Sequence, residues 1–401
     1  MYFLTKLHKN PIAYRPIVSC TNSVTTNLSR FLDYWLKQAV ILLPSYIRDT
    51  THLIQTLEDK NFEKSILLCT IDVTNMYTNI PTDEGNKTAL RALKRLKLNN
   101  SNSKMPNIEV LSDLLDTVTK NNVFEFNGEH YLQIRGVPMG NIMAPSYSGI
   151  FMGELEQRLI QLDPERIKLW LRYIDDILIM WSGTQTEFQT FLNNCNQLHP
   201  TMKFTGERSP NTIHFLDLTL YKGENFEQKG TLDMKTYTKP TNKQTYVHSS
   251  SFHPKGTRKS IILGEAYRFL RTNTHNSDFR EQMYKLQKAL LMRGYKRKMV
   301  KTILHIIHFC DRKRVLHKQK TLKPKTTTTP VLILKYNTHI HEVKEKIQTI
   351  WLDVKKDPLL NQLYPEPPRI ALKRNQSLRD MLVRAKLKRE TALQFPSDAK
   401  P

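Results

Sequence analysis

The tightest constraint on this chain is a run of thirteen residues, Leu169–Trp181 (LWLRYIDDILIMW), in which two adjacent acids are flanked by apolar residues. Asp175 and Asp176 cannot both sit in mid-core. An unpaired charge is costly to bury, and like charges side by side raise each other's pKa. The run must therefore double back, as a hairpin with both acids at its tip. Its apolar arms then need a sheet to join, and the tip needs a counter-charge.

A partner strand stands upstream. Ser65–Val73 (SILLCTIDV) is a compact apolar run ending on Asp72, and its length and flanks suit a buried strand better than a helix. Two short extended pieces are expected within Met1–Cys20, around a turn at Asn10-Pro11. Helices are expected over Val24–Leu43, Thr50–Glu58, Pro81–Leu96, Ile108–Lys120, Pro145–Leu162 and Thr186–His199, with a polar loop over Asn99–Lys104. In the fifth of these helices Gly149 and Gly153 suggest close backbone packing. Phe124–Ile134 alternates around Asn127-Gly128, the strongest short hairpin signal. Met202–Thr205 and Ile213–Tyr221 (IHFLDLTLY) read as single strands. From Arg258 to His317 the chain is helical and basic. Lys320–Thr329 is a linker by composition. Val331–Lys335 is a short strand, Val343–Val354 a short helix, and Pro365–Pro368 a rigid spacer. A basic helix over Ser377–Leu393 closes the chain.

Taken singly, each acidic site is ambiguous. The Tyr173-Ile174-Asp175-Asp176 tetrapeptide is equally an ordinary turn, and Asp72 equally a helix cap. Together they describe a cage. Mg²⁺ takes hard oxygen ligands, a few carboxylates plus phosphate oxygens. Nucleotidyl transfer by two ions about 4 Å apart needs carboxylates from neighbouring strands.

Charge points the same way. The 401 residues carry a net charge of +24, and at ~100–200 residues per domain they suggest two or three domains. Residues 251–401 hold 34 Lys and Arg against 12 Asp and Glu, leaving 27 against 25 in residues 1–250. The last part thus carries almost all of the positive field, which attracts polyanions: nucleic acid first, an anionic membrane surface second. Solvated helix faces are the bland alternative. The four cysteines stand far apart with no Cys-x-x-Cys pair, which supports neither a zinc cluster nor a disulfide framework and fits a reducing compartment. No apolar stretch approaches the ~18 residues of a membrane span, and the N-terminus lacks the pattern of a signal peptide.

Three segments in order resemble successive palm motifs of reverse transcriptases: Ile71-Asp72-Val73 with Tyr77 and Pro81, then Arg135–Gly140 (RGVPMG), then Tyr-Ile-Asp-Asp. Arg15–Ser19 (RPIVS) resembles the fingers motif that precedes them, and Phe215–Leu218 (FLDL) the strand that leads to the thumb. A narrower likeness is to the Penelope-like retroelements, relatives of telomerase. It is carried by LTKLHKNPIAYRPIVSC, IDVTNMYTNIP, the pairing of MKFT with FLDL, SFHPKGTRKS, and PPRIALKRNQSLRDMLVRAKL.

The resemblance implies an α+β, right-hand polymerase: partial fingers over 1–64, an antiparallel palm sheet over 65–222, a connection over 223–254, a helical basic thumb over 255–319, and a basic C-terminal linker region over 320–401. It implies that Asp72, Asp175 and Asp176 hold two Mg²⁺ ions, with Mn²⁺ as a substitute and the carbonyl of Val73 as a further ligand. Tyr77 takes the place of the steric gate that favours deoxynucleotides. Arg15 grips the triphosphate, where a planar fork suits phosphate. Gly136, Pro138, Met139 and Gly140 shape the nucleotide pocket, although the family commonly has Gln or another residue at Met139. Lys203 matches a lysine proposed to protonate pyrophosphate. Lys255, Arg258, Lys259, Arg268 and Arg271 belong to the thumb, which holds duplex phosphates without reading sequence. The implied partners are an RNA template, a DNA primer and deoxynucleoside triphosphates, with no membrane and an open oligomeric state. An intracellular, nuclear location is expected.

The chain departs from the family at both ends. Met1 falls just before the fingers motif, and neither a Cys-rich linker nor a GIY-YIG endonuclease follows the thumb, so a copy truncated at both ends is expected. Two alternatives stay open: a catalytically inactive nucleic-acid-binding remnant, and a polymerase that copies DNA.

Overall fold

A computed structural model describes residues 1–6, 12–99, 104–317 and 329–376. The turn at Asn10-Pro11, most of the loop over Asn99–Lys104, nearly all of the linker over Lys320–Thr329 and the basic helix over Ser377–Leu393 lie outside the described residues. Two compact units are present. Of the described residues, the first comprises 1–241 with 272–278, and the second 242–271 with 279–376.

In the first unit, β1 (Tyr2–Lys6) and β2 (Ala13–Ile17) form an antiparallel pair. Next come α1 (Thr26–Val40), α2 (Thr50–Glu58), β3 (Leu67–Thr74), the one-turn α3 (Met76–Asn79), α4 (Thr82–Asn99) and α5 (Ile108–Lys120). The hairpin of β4 (Val123–Phe126) and β5 (Glu129–Leu132) turns on Asn127 and Gly128, at φ 52° and 86°. These two residue types accept the positive φ that a two-residue turn requires, which is why the Asn-Gly signal holds.

After α6 (Ala144–Ile160) come β6 (Ile167–Tyr173), β7 (Asp176–Trp181), α7 (Gln185–Leu198) and β8 (Lys203–Ser209). Strands β6, β7, β3 and β8 lie in that order in one sheet, each pair antiparallel. A second sheet joins β9 (Thr212–Phe215), β10 (Leu218–Tyr221) and, after α8 (Glu224–Lys229), β11 (Asp233–Thr236). Here the expected single strand over Ile213–Tyr221 is corrected. The chain reverses at Leu216-Asp217, with Leu216 at φ 52°, and makes a hairpin instead. The marks of that reversal in IHFLDLTLY are slight, an adjacent apolar pair at Phe215-Leu216 that breaks the alternation and a single Asp217.

The core of this unit is helix against sheet. In α1, Leu32, Trp35, Leu36 and Ala39 are buried at helical spacing. By contrast α6 buries twelve of its seventeen residues, which makes it the central helix. The packing expected of its glycines is present: a Cβ on Gly149 would meet Val40 at 3.4 Å, and one on Gly153 would meet Leu43 at 2.6 Å.

The second unit is built on α9 (Lys255–Thr272), α10 (Asn276–Met292), α11 (Arg297–Leu304) and α12 (Arg312–Leu316). Ile262, Phe269, Leu286, Leu290, Val300 and Ile303 share its core. Further on come β12 (Val331–Lys335), α13 (Ile340–Val354), α14 (Pro358–Leu363) and β13 (Arg369–Lys373). Strands β12 and β13 pair in parallel, and the second of them falls in a stretch read only as following a proline spacer. Among the described residues, no helix is long and apolar enough to cross a membrane.

Candidate active site

The three acids meet where β3 and β7 end. Cross-strand register sets Asp72 opposite both Asp176 on β7 and Thr205 on β8. The Val73 amide donates to the Asp175 carbonyl at 3.1 Å, which ties the hairpin tip to β3. Asp72 is exposed, and Asp175 and Asp176 are half-buried.

The electrostatics are those of a site short of positive charge. Burial, then the charges of Asp175 and Asp72, push the Asp176 carboxyl from 3.8 up to about 6, against an opposing pull from Lys239. Sequence reading gave no role to Lys239. It lines a cavity of about 510 Å³ together with Asp72, Asp176, Thr205, His214 and Tyr237. His214 stacks on Tyr237, with ring centroids 4.0 Å apart, and shares a 3.0 Å hydrogen bond with Thr219.

The expected nucleotide-binding residues converge on the acids through backbone contacts. Tyr77 is half-buried on α3, and its hydroxyl is pushed up to about 12 by burial and by Asp175, with Arg15 opposing. Arg15, Tyr77 and Asp175 therefore share one electrostatic environment. The Tyr77 carbonyl accepts from the Val137 amide at 2.8 Å, and the Met139 carbonyl accepts from the Val18 amide at 3.1 Å. The RGVPMG loop thus joins the RPIVS segment to the turn after Asp72. Both of its glycines are required there. Gly136 has φ +70°, and a Cβ on it would strike the Tyr77 carbonyl. Gly140 has φ +135° and lies against the Val18 carbonyl. Pro138 is buried and Met139 half-buried.

Lys203 is placed differently from a group aimed at the acids. It faces Thr74 in register, and its ammonium donates to the Asn196 carbonyl at 2.8 Å.

Residues 7–205 match the family described as reverse transcriptase (RNA-dependent DNA polymerase). The chain carries a reverse transcriptase domain. Residues 245–305 match a second family, described as an animal helix-turn-helix domain. No curated protein sequence matches the chain. Among solved structures, telomerase from Candida albicans in complex with a TWJ fragment of telomeric RNA is 13% identical, with a TM-score of 0.49 over 74% of this chain and 51% of that one. Apo telomerase from Candida tropicalis is 11% identical, with a TM-score of 0.42 over 74% and 56%. The BmCPV RNA-dependent RNA polymerase at quiescent state is 11% identical, with a TM-score of 0.41 over 87% and 28%. This chain spans about half the length of those telomerases.

Reverse transcriptase domains use divalent metal ions, and the donor set fits one: three carboxylates whose mutual repulsion is only partly offset by Lys239. Among the described residues, no group of three or more His, Cys, Asp or Glu side chains is gathered into a ready-made cage.

The hairpin tip of the reverse transcriptase domain is braced from behind by a network that sequence reading missed. Arg172, buried on β6, donates from Nε to Glu156 Oε1 at 2.6 Å, from Nη2 to the Gly149 carbonyl at 2.9 Å, and from Nη1 to the Ile174 carbonyl at 3.2 Å. Glu156 also accepts from Trp170 Nε1 at 2.8 Å and Ser45 Oγ at 2.7 Å. Ile174 stands at φ 58°, a costly conformation for a β-branched residue.

Of the expected duplex-binding residues of α9, Lys259 is exposed, while Arg258 and Arg271 are half-buried. Arg268 is engaged by Glu265 at 2.9 Å and lies over the Phe269 ring. The side chain of Lys255 lies outside what is described.

Proposed function

We propose that this chain is an RNA-directed DNA polymerase that extends a DNA primer on an RNA template by two-metal nucleotidyl transfer. The observation that carries the reading is the cross-strand alignment of Asp72 with Asp176, beside Asp175 and within reach of Tyr77 and Arg15. Asp72, Asp175 and Asp176, with the carbonyl of Val73, would hold two Mg²⁺ ions or Mn²⁺ in their place, which when bound acidify the primer 3′-hydroxyl and offset charge on the leaving pyrophosphate. Tyr77 stays neutral at working pH, so its ring acts by bulk, crowding a ribose 2′-hydroxyl. Arg15 orients the triphosphate. Gly136 and Gly140 let the backbone close around the nucleotide, with Pro138 and Met139 shaping the pocket between them. Lys203 serves as a proton donor to pyrophosphate only after releasing the Asn196 carbonyl.

In the same reading residues 1–64 act as fingers, 65–222 as palm and 255–319 as thumb, with Lys255, Arg258, Lys259, Arg268 and Arg271 along the duplex backbone. The narrower kinship, to Penelope-like retroelements acting in the nucleus, rests on the sequence segments that carry that resemblance.

Primer extension on an RNA template, with deoxynucleotides and Mg²⁺, tests the proposal. Extension is expected from the full chain and none from the double variant Asp175→Asn, Asp176→Asn; activity that survives in the variant would sink the assignment. The positive field of residues 251–401 supports a second reading, a catalytically inactive nucleic-acid-binding remnant. It predicts salt-sensitive binding without extension in the same assay. A DNA template run in parallel separates a polymerase that copies DNA.

A further inference from the structure

We infer that the outer edge of β12 is a dimerisation surface, on which β12 of a second copy of this chain pairs antiparallel about a two-fold axis at Ile333. The starting point is a sheet too small for its composition. Strands β12 and β13 pair in parallel as a two-stranded sheet, with α13 and α14 between them in sequence. Parallel strands are apolar runs because they are covered on both faces, and two strands alone are marginal in water. The Val-Leu-Ile-Leu of β12 is such a run, yet Val331 is 58% exposed and Ile333 67%.

The two edges of this sheet are built differently. Strand β13 begins on Arg369 and ends on Lys373, with Arg374 next, and charges of that kind blunt an edge against pairing. Strand β12 carries no charge before Lys335. The Pro330 carbonyl accepts from the Arg369 amide at 2.9 Å, and the Tyr336 amide donates to the Lys373 carbonyl at 3.0 Å, so the even-numbered residues are turned towards β13. Alternate residues of a strand aim their amide and carbonyl groups at opposite edges. Val331, Ile333 and Lys335 therefore present theirs outward, and among the described residues no strand pairs with that edge.

A second copy fits the edge. Antiparallel pairing centred on Ile333 sets Ile333 opposite itself and Val331 opposite Lys335 at both ends, so that all three outward residues bond and no like charges face one another. On the other face Leu332 meets Leu334. A two-fold interface requires this self-complementarity. The available area agrees. Nine large apolar side chains between Val331 and Tyr364 are 38–67% exposed. At roughly 100 Å² apiece they offer about 900 Å², against the ~800 Å² that each partner buries in a standard complex.

Sedimentation equilibrium of the nuclease-treated full chain, in salt high enough to screen nucleic-acid bridging, reads the oligomeric state. A reversible dimer is expected. Ile333→Lys places two ammonium groups against each other at the axis and should raise the dissociation constant about 10- to 100-fold, while circular dichroism of the dilute chain stays that of the wild type. Cross-linking reads the register. In a Cys20→Ser, Cys310→Ser background, Ile333→Cys should give a disulfide-linked dimer under mild oxidation, because a bonded antiparallel pair holds its Cα atoms about 5.5 Å apart, within disulfide reach. Val331→Cys should not, since its two copies would lie about 14 Å apart. A monomer at all concentrations, a dimer indifferent to Ile333→Lys, or cross-linking of Val331→Cys equal to that of Ile333→Cys would each overturn the inference. In a monomer, protection of the Ile333→Cys thiol from maleimide would assign the edge to another segment of the same chain.

Discussion

Asp176→Asn should make the metal-free protein more stable while it abolishes synthesis, with a pH signature that identifies the cause. In the fold, burial and the neighbouring Asp175 and Asp72 raise Asp176 from 3.8 to about 6. At about 1.4 kcal/mol per tenfold change in proton affinity, that rise corresponds to roughly 3 kcal/mol against the ionised form. The side chain is only half-buried, so solvent screening brings the expected figure down to about 1–2 kcal/mol. An acid whose folded pKa is raised carries no penalty below its unfolded pKa, where it is protonated in both states. The penalty grows between about pH 4 and pH 6 and is complete above that. The neutral amide removes it. Asp176→Asn should therefore stabilise the chain by about 1–2 kcal/mol at pH 7.5 in EDTA, some 2–8 °C in midpoint for a unit of this size, and have only a small fraction of that effect at pH 4. Urea and thermal unfolding at the two pH values measure this directly. A divalent ion should then raise the wild-type midpoint more than that of the variant. A stability change of equal size at both pH values, or a loss at pH 7.5, would refute the reasoning.

Three further outcomes follow from the site. Tyr77→Val should relax discrimination against ribonucleotides by roughly 10- to 200-fold, the range for one packing contact in a pocket, read as the ratio of kcat/KM for ribo- and deoxynucleotides. Gly136→Ala forces a Cβ against the Tyr77 carbonyl at a positive φ, so it should cost about 1–3 kcal/mol and lower extension, measured by urea unfolding and primer extension. Arg172→Met should cost about 3–5 kcal/mol because Glu156 is left charged and buried, whereas Arg172→Met combined with Glu156→Gln should recover a large part of that stability by the same urea measurement.

What could be read from the chain beforehand was whatever local spacing records. The Asp-Asp tip within an apolar run forces a hairpin, the Asn127-Gly128 pair forces another, and Gly136 and Gly140 mark points of close backbone approach. Each is an instruction held within a few residues. The reversal at Leu216-Asp217 was hard to read because a lone Asp is its only turn residue, with no Gly, Pro or Asn beside it; Leu216 takes a left-handed φ that its neighbours impose. The helix-turn-helix was read only as a basic helical stretch, since the burial that separates the Val300 side of α11 from the Lys301 side depends on which helices pack against it. Lys239 was likewise invisible. Its importance lies in facing Asp176, 63 residues away in sequence, and no spacing rule reaches that far.

The brace behind the acids shows why such long-range contacts are required rather than incidental. A tip with two carboxylates, a third acid across the strand and a β-branched residue at φ 58° is unfavourable three times over. Left to local preference it would splay or shift register, and a one-residue slip on β7 would turn Asp176 to the other face of the sheet. Two contacts prevent this from opposite sides: the Val73 amide holds the Asp175 carbonyl, and Arg172 holds the Ile174 carbonyl. Arg172 can do so only because Glu156, Ser45 and Trp170 form a closed buried network around it. A buried ion pair of this kind is a poor source of stability compared with apolar packing. What it provides is a fixed position for a strained turn, so the loss of Arg172 should impair extension more than an apolar core truncation of equal stability cost elsewhere in the sheet.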